Sequence, residues 1–149
     1  MDIILTSWLI RYGNVLGGGL WVGGYALLAL VIIPMIARNT SEGLVKVAIN
    51  VVRFLTYSGM GRIFFGILLI FRTRGFATIF RWGEWGLIIT SCVVIAIALL
   101  GIGDGALRPA LRHLAATGDA KSAQRYAWIG FLLTVLAIGL MTRALYART

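Results

Sequence analysis

Apolar residues in this chain fall into long, almost unbroken stretches separated by short basic segments. The first stretch carries no charge from Tyr12 to Ala37, and its apolar body covers about residues 15–36. A second covers about residues 49–71 and is interrupted near its middle by Arg62. A third, about residues 85–103, is free of charge, and a fourth covers about residues 126–145, with Arg143 close to its end. A helix rises about 1.5 Å per residue, so roughly 20 residues cross the ~30 Å of hydrocarbon in a bilayer. Each stretch has that scale. In lipid every backbone N–H and C=O must be paired within the segment, which an isolated strand cannot do and a helix can. The pattern therefore predicts an all-α polytopic membrane protein, a four-transmembrane-helix bundle forming a single domain over residues 1–149.

The connections are short. Asn39-Thr40-Ser41-Glu42 supplies a polar break and a helix cap between the first two spans. Between the second and third, Phe76, Ile79, Phe80 and Trp82 suggest a segment lying in the membrane interface. In the last connection Leu107, Ala110, Leu111 and Leu114 share one helical face, opposite Arg108 and Arg112. That pattern predicts a short interfacial helix, lying on the membrane or packed on a partner, which Gly118-Asp119 ends. Trp8, Trp82, Trp85, Tyr126, Trp128 and Tyr146 fall near the span ends, where amphipathic rings settle at the head groups.

Composition sharpens this picture. Hydrophobic residues make up 60% of the chain and charged ones 13%, against roughly 45–50% and 25% in an average soluble domain. A soluble globule of this length has too little interior to hide that surface. The formal net charge is +9. The bases lie between apolar segments rather than in one patch, which argues against nucleic acid and for anionic lipid head groups, with Arg72, Arg74, Arg81, Arg108 and Arg112 as the contacts. Met1-Asp2 lacks the basic start of a signal peptide, and the first stretch exceeds the ~7–15 apolar residues of such a segment, so it reads as a retained span. Basic residues divide almost evenly between the two sides. A cytoplasmic third connection would place both termini outside. The expected location is the cell inner membrane, crossed several times.

Candidate chemistry is sparse. There is one histidine, His113, outside the spans, and one cysteine, Cys92, inside the third. Asp2, Glu42, Glu84, Asp104 and Asp119 all lie at or beyond span ends, so no embedded carboxylate serves a proton relay or a cation site. No cluster has metal-ligand spacing, and no nucleophile has an activating histidine beside it. The expectation is no catalytic residue, no metal site and no cofactor held by the chain's own ligands. A lipid, quinone or pigment at a subunit interface is the ligand class left open. Arg62 is the most informative residue. A guanidinium at the bilayer centre costs about 2.5–3.5 kcal/mol on insertion scales. It either meets an anion or polar group from elsewhere, such as a neighbour's carboxylate, a quinone carbonyl or a lipid phosphate, or it snorkels or bonds carbonyls of an adjacent helix. Glycines supply a second signal. Gly19 and Gly23 stand one turn apart, and Gly59 and Gly66 mark a small-residue stripe on the second span, suited to close helix packing in the bundle or onto another subunit.

Gly17-Gly18-Gly19-Leu20-Trp21-Val22-Gly23-Gly24 in the first span, Arg53-Phe54-Leu55 through Gly59 and Gly66 in the second, and Leu107-Arg108-Pro109-Ala110-Leu111 with Gly118-Asp119 resemble the small four-helix membrane domain of the copper-resistance D type and its bacterial relatives. Relatives often carry a histidine before the Trp-Val-Gly-Gly segment, where this chain has Tyr12, Gly13 and Asn14. A scaffold without those ligands matches a non-catalytic accessory subunit of a larger membrane complex, such as a respiratory or photosynthetic electron-transfer assembly, partnered by other integral membrane subunits. Two alternatives stand beside it. One is metal transport or handling through Met35, Met60, Met141 and Cys92, as the resemblance implies. The other is a small membrane enzyme or quinone-binding protein centred on Arg62.

Overall fold

The computed structural model describes residues 3–39, 41–73, 79, 83–144 and 146–147. Among these there is no strand, and four helical rods are long and apolar enough to cross a membrane. The first comprises α1 (Ile3–Leu27), a π-helical turn (Leu28–Ile32) and α2 (Ile33–Arg38). The second is α3 (Glu42–Thr73). The third comprises α4 (Glu84–Gly101), a second π-helical stretch (Ile102–Leu107) and α5 (Arg108–Thr117), and the fourth is α6 (Lys121–Ala144). The chain is thus a multi-pass, all-α four-helix bundle.

Both prolines explain where the π turns fall. A proline inside an α-helix has no N–H to donate, and its ring collides with the carbonyl four residues back. Pro34 and Pro109 each sit in the first turn of the helix that follows a π stretch. There the residue before the proline bonds five residues back, Ile33 N–H to Leu28 O and Arg108 N–H to Gly103 O. The wider turn makes room for the ring and lets the rod continue. One carbonyl is orphaned in the process. With Ile33 bonded to Leu28, the acceptor Ala29 O could be reached only by the missing N–H of Pro34. Gln124 of α6 fills that gap, its Nε2 donating to Ala29 O at 2.7 Å.

These continuous rods extend the expected spans. The third, Glu84–Thr117, has 34 residues, about 51 Å at 1.5 Å per residue and well beyond the hydrocarbon thickness. The separate interfacial helix expected in the last connection is therefore corrected. Arg108–Thr117 is the end of the third rod, and its apolar face turns into the bundle. Leu107, Leu111 and Leu114 are each 0% exposed. They pack with Ile33, Ile36, Val45, Ala48, Ala123 and Ala127 in the main core. Amphipathic spacing alone does not distinguish a lipid surface from neighbouring helices. The rod stops where expected: Gly118 takes φ 77°, its N–H bonds Leu114 O, and Asp119 caps α6 through Lys121 N–H at 3.0 Å.

α1 packs chiefly on α3 and α6, and α4 on α6. Two aromatic rings of α1 seat on glycines. A Cβ on Gly59 would overlap the Trp21 ring, and one on Gly130 would overlap Tyr25. Trp21 Nε1 then donates to Leu55 O at 2.7 Å and Tyr25 Oη to Leu99 O at 3.0 Å, which fixes the depth of each ring. A smaller cluster joins Ile70, Trp85, Ile88 and Ala147 near the other end of the bundle, where the Trp85 ring is buried against its neighbours. Phe76, Phe80 and Trp82 lie outside the described residues, while Ile79 packs against this cluster.

Candidate functional site

On α3, Phe54, Met60, Phe64 and Phe71 face outward as a lipid-facing band, with Arg62 at its middle. Arg62 itself faces the other way and is 8% exposed. Its stem lies along two glycines of α1. A Cβ on Gly17 would stand 3.0 Å from Arg62 Cβ, and one on Gly18 would stand 3.4 Å from the guanidinium carbon. A Cβ at Gly17 would require the Arg62 stem to give by a few tenths of an ångström. The guanidinium carbon lies 5.4 Å from the centroid of Trp21. Nη2 donates to Met141 Sδ of α6 at 3.4 Å. Asn14, 7% exposed, points its Nδ2 at the same sulfur from 3.8 Å.

These contacts leave the charge short of partners. A thioether is a weak acceptor. A cation over an aromatic ring gains about 0.5–2 kcal/mol, less than the ~2.5–3.5 kcal/mol insertion cost of a mid-membrane arginine. Arg62 Nη1 and Asn14 Oδ1 are both buried without a hydrogen-bond partner. The described acids are engaged elsewhere. Glu42 pairs with Lys46 at 2.7 Å, Asp104 with Arg108 at 2.8 Å and Glu84 with Arg143 at 2.5 Å, while Asp119 caps α6. No described acid of the chain itself supplies the counter-group. Arg62 points into its own bundle, against Gly17 and Gly18 of α1 and Met141 of α6.

Beyond Trp21 lies a second polar layer that sequence reasoning missed. Thr56 Oγ1 sits 3.1 Å from Val52 O and 3.2 Å from Asp104 Oδ1. Asp104 stands in the π stretch and holds Arg108 one turn on. A narrow crevice lined by Trp21, Tyr25, Thr56, Leu99 and Gly103 among others adjoins this layer. It is too tight to admit a water molecule. Asp104 looked like a span end because glycines surround it. Only the π turn carries it back against α3.

The glycines divide. Gly59 packs inside, and a Cβ on Gly66 would lie 3.8 Å from Asn14 Oδ1. Gly19 and Gly23 meet nothing within 4 Å and are exposed, so they take no part in packing the bundle. Inside it, Gly17, Gly18, Gly24 and Gly130 do that work instead. Of the proposed lipid contacts, Arg72 and Arg112 are exposed, Arg108 is tied to Asp104, and Arg74 and Arg81 lie outside the described residues. Met35 and Met60 face outward, 48% and 56% exposed, far apart in role from Met141. Cys92 Sγ lies 4.0 Å from Ala137 O. Among the described residues no three His, Cys, Asp or Glu side chains converge as metal ligands. The interior is thus a fixed positive charge beside unpaired polar atoms, with donor rather than nucleophilic character. No protein-family model, curated protein or solved structure matches this chain.

Proposed function

We propose that this protein is a non-catalytic accessory subunit of a larger assembly in the bacterial inner membrane, docked through the outer face of α1. One observation carries the reading. Gly19 and Gly23 lie one helical turn apart, exposed, with open space where their side chains would be. Exposed Leu16, Leu20 and Leu27 flank them on the same side of the helix. A glycine inside a helix is destabilising by roughly 0.5–1 kcal/mol relative to alanine. Within the bundle nothing offsets that loss at these two positions. A second membrane helix approaching closely over Gly19 and Gly23 would offset it through van der Waals contact and Cα–H···O contacts. The sequestered Arg62 removes itself from this interface, so the docking face is apolar.

The test is extraction from native membranes in mild detergent, followed by identification of copurifying chains. The wild-type protein is expected within a larger particle containing other membrane polypeptides. Gly19→Leu with Gly23→Leu should release it while helicity and thermal stability stay unchanged, because the new side chains meet no part of the bundle. A homogeneous monomer from native membranes overturns the reading. A particle containing only copies of this chain replaces it with self-association.

A further inference from the structure

We infer that the end of the bundle formed by α2, the start of α3, α5 and the start of α6 docks an acidic segment of a water-soluble protein. This inference stands apart from the docking of α1. Height comes first. In the third rod, residues 85–103 carry no charge and already measure about 28 Å, close to the thickness of the hydrocarbon. Residues 104–117 continue the rod for about 21 Å more. Head groups add only about 5–7 Å on each side, so this end stands more than about 10 Å clear of them. It is a packed body, since Ile36, Ala48, Leu111, Leu114 and Ala123 are each 0% exposed.

Its surface carries cations without counter-charges. Arg38, Arg112, Lys121 and Arg125 are exposed, and none pairs with a described acid. The acids of this end are engaged: Glu42 holds Lys46, Asp104 holds Arg108 and Asp119 caps α6. α6 opens on Lys121, with Arg125 one turn later and no acid in its first turn. Like charges four residues apart on a helix repel, and cations at a helix N-terminus oppose its dipole. Carboxylates brought to Lys121 and Arg125 relieve both. Lys121 follows the tip of the third rod by a short turn, so a lipid phosphate lies below it and the carboxylates come from the aqueous phase. Met35, one turn before Arg38, and Val47, next to Lys46, are 48% and 49% exposed. They offer a protein partner apolar contact that a nucleic-acid backbone would not use, and arginine and methionine are enriched in protein interfaces.

The protein in phosphatidylcholine nanodiscs is titrated with a fluorescent glutamate-rich peptide at low and high salt. The peptide should bind at low salt and release as salt screens the charges. Combined Arg112→Glu, Lys121→Glu and Arg125→Glu should weaken binding about tenfold or more. That variant should also melt at or above wild type, because it removes the repulsion within α6. Lys121→Gln with Arg125→Gln should weaken binding less, in the same direction, and decides the matter if the charge-reversed variant does not fold. Arg11→Glu with Arg72→Glu, at exposed positions of the opposite end, should bind as wild type does. Absence of binding at low salt overturns the inference, and so does an equal loss in the Arg11 and Arg72 variant. Displacement of the peptide when phosphatidylglycerol enters the disc assigns the cations to lipid, and tighter binding of a single-stranded oligonucleotide assigns them to nucleic acid; either result overturns it.

Discussion

Gln124→Leu isolates a single hydrogen bond whose need is created by a proline. Gln124 Nε2 donates to Ala29 O at 2.7 Å, and Ala29 O lacks a backbone donor because Pro34 follows the π turn. Leucine is close to glutamine in volume, so the substitution removes the donor with little change in packing. A buried carbonyl left unsatisfied costs about 1–3 kcal/mol, and side-chain hydrogen bonds measured in membrane proteins average about 0.6 and reach about 1.7 kcal/mol. The expected loss is therefore about 1–2 kcal/mol. Pro34→Ala restores a backbone N–H. Whether the turn stays π-helical or relaxes to α-helix, Ala29 O then has a partner on its own helix. In that background Gln124→Leu should cost about 1 kcal/mol less, a coupling that a double-mutant cycle resolves. The assay is reversible unfolding in mixed detergent micelles, with wild type, both single variants and the double variant at equal protein concentration. A Gln124→Leu cost equal in both backgrounds would refute the argument. It would mean that the orphaned carbonyl is not what Gln124 serves.

Gly59→Ala drives a methyl group into the Trp21 ring and should destabilise the bundle by about 1–3 kcal/mol as overpacking does, whereas Gly23→Ala should be neutral or stabilise it by up to about 1 kcal/mol; the same unfolding assay compares them, and equal effects would show that Trp21 is not seated on Gly59. Asp104→Asn removes the partner of Arg108, whose side chain is 24% exposed, and should cost about 0.5–1.5 kcal/mol. Unfolding at low and high salt checks it: the wild-type advantage should shrink as salt screens the pair, and a salt-independent difference would assign the effect to packing.

The sequence alone determined the number and type of the spans. Hydrocarbon thickness and the need to pair every backbone group impose a helix of about 20 apolar residues, and a solvent that acts the same on every residue leaves its mark in local composition. The ends of the rods were less legible. Asp104, Gly105 and Pro109 read as the exit from a span, because glycine, charge and proline ordinarily end helices. The π turn that carries the rod past them depends on a proline's geometry and on α3 and α6 lying alongside. For the same reason Leu107, Leu111 and Leu114 read as a membrane-surface face. The apolar stripe is real, and its partner is three other helices.

Arg62 was legible as the residue to watch, since a charge in the middle of an apolar run is costly wherever it points. Its direction was not. Helical spacing on α3 sets which side of the rod Arg62 occupies, but only the approach of α1, closest at Gly17 and Gly18, makes that side the interior. The glycine stripe divides on the same ground. Gly17 and Gly19 are equivalent in sequence, one lies against Arg62 and the other faces outward, and a rotation of α1 about its axis separates the two outcomes. Local chemistry is written in the chain because each residue carries it alone. Who faces whom is a property of pairs of helices, and no single segment contains it.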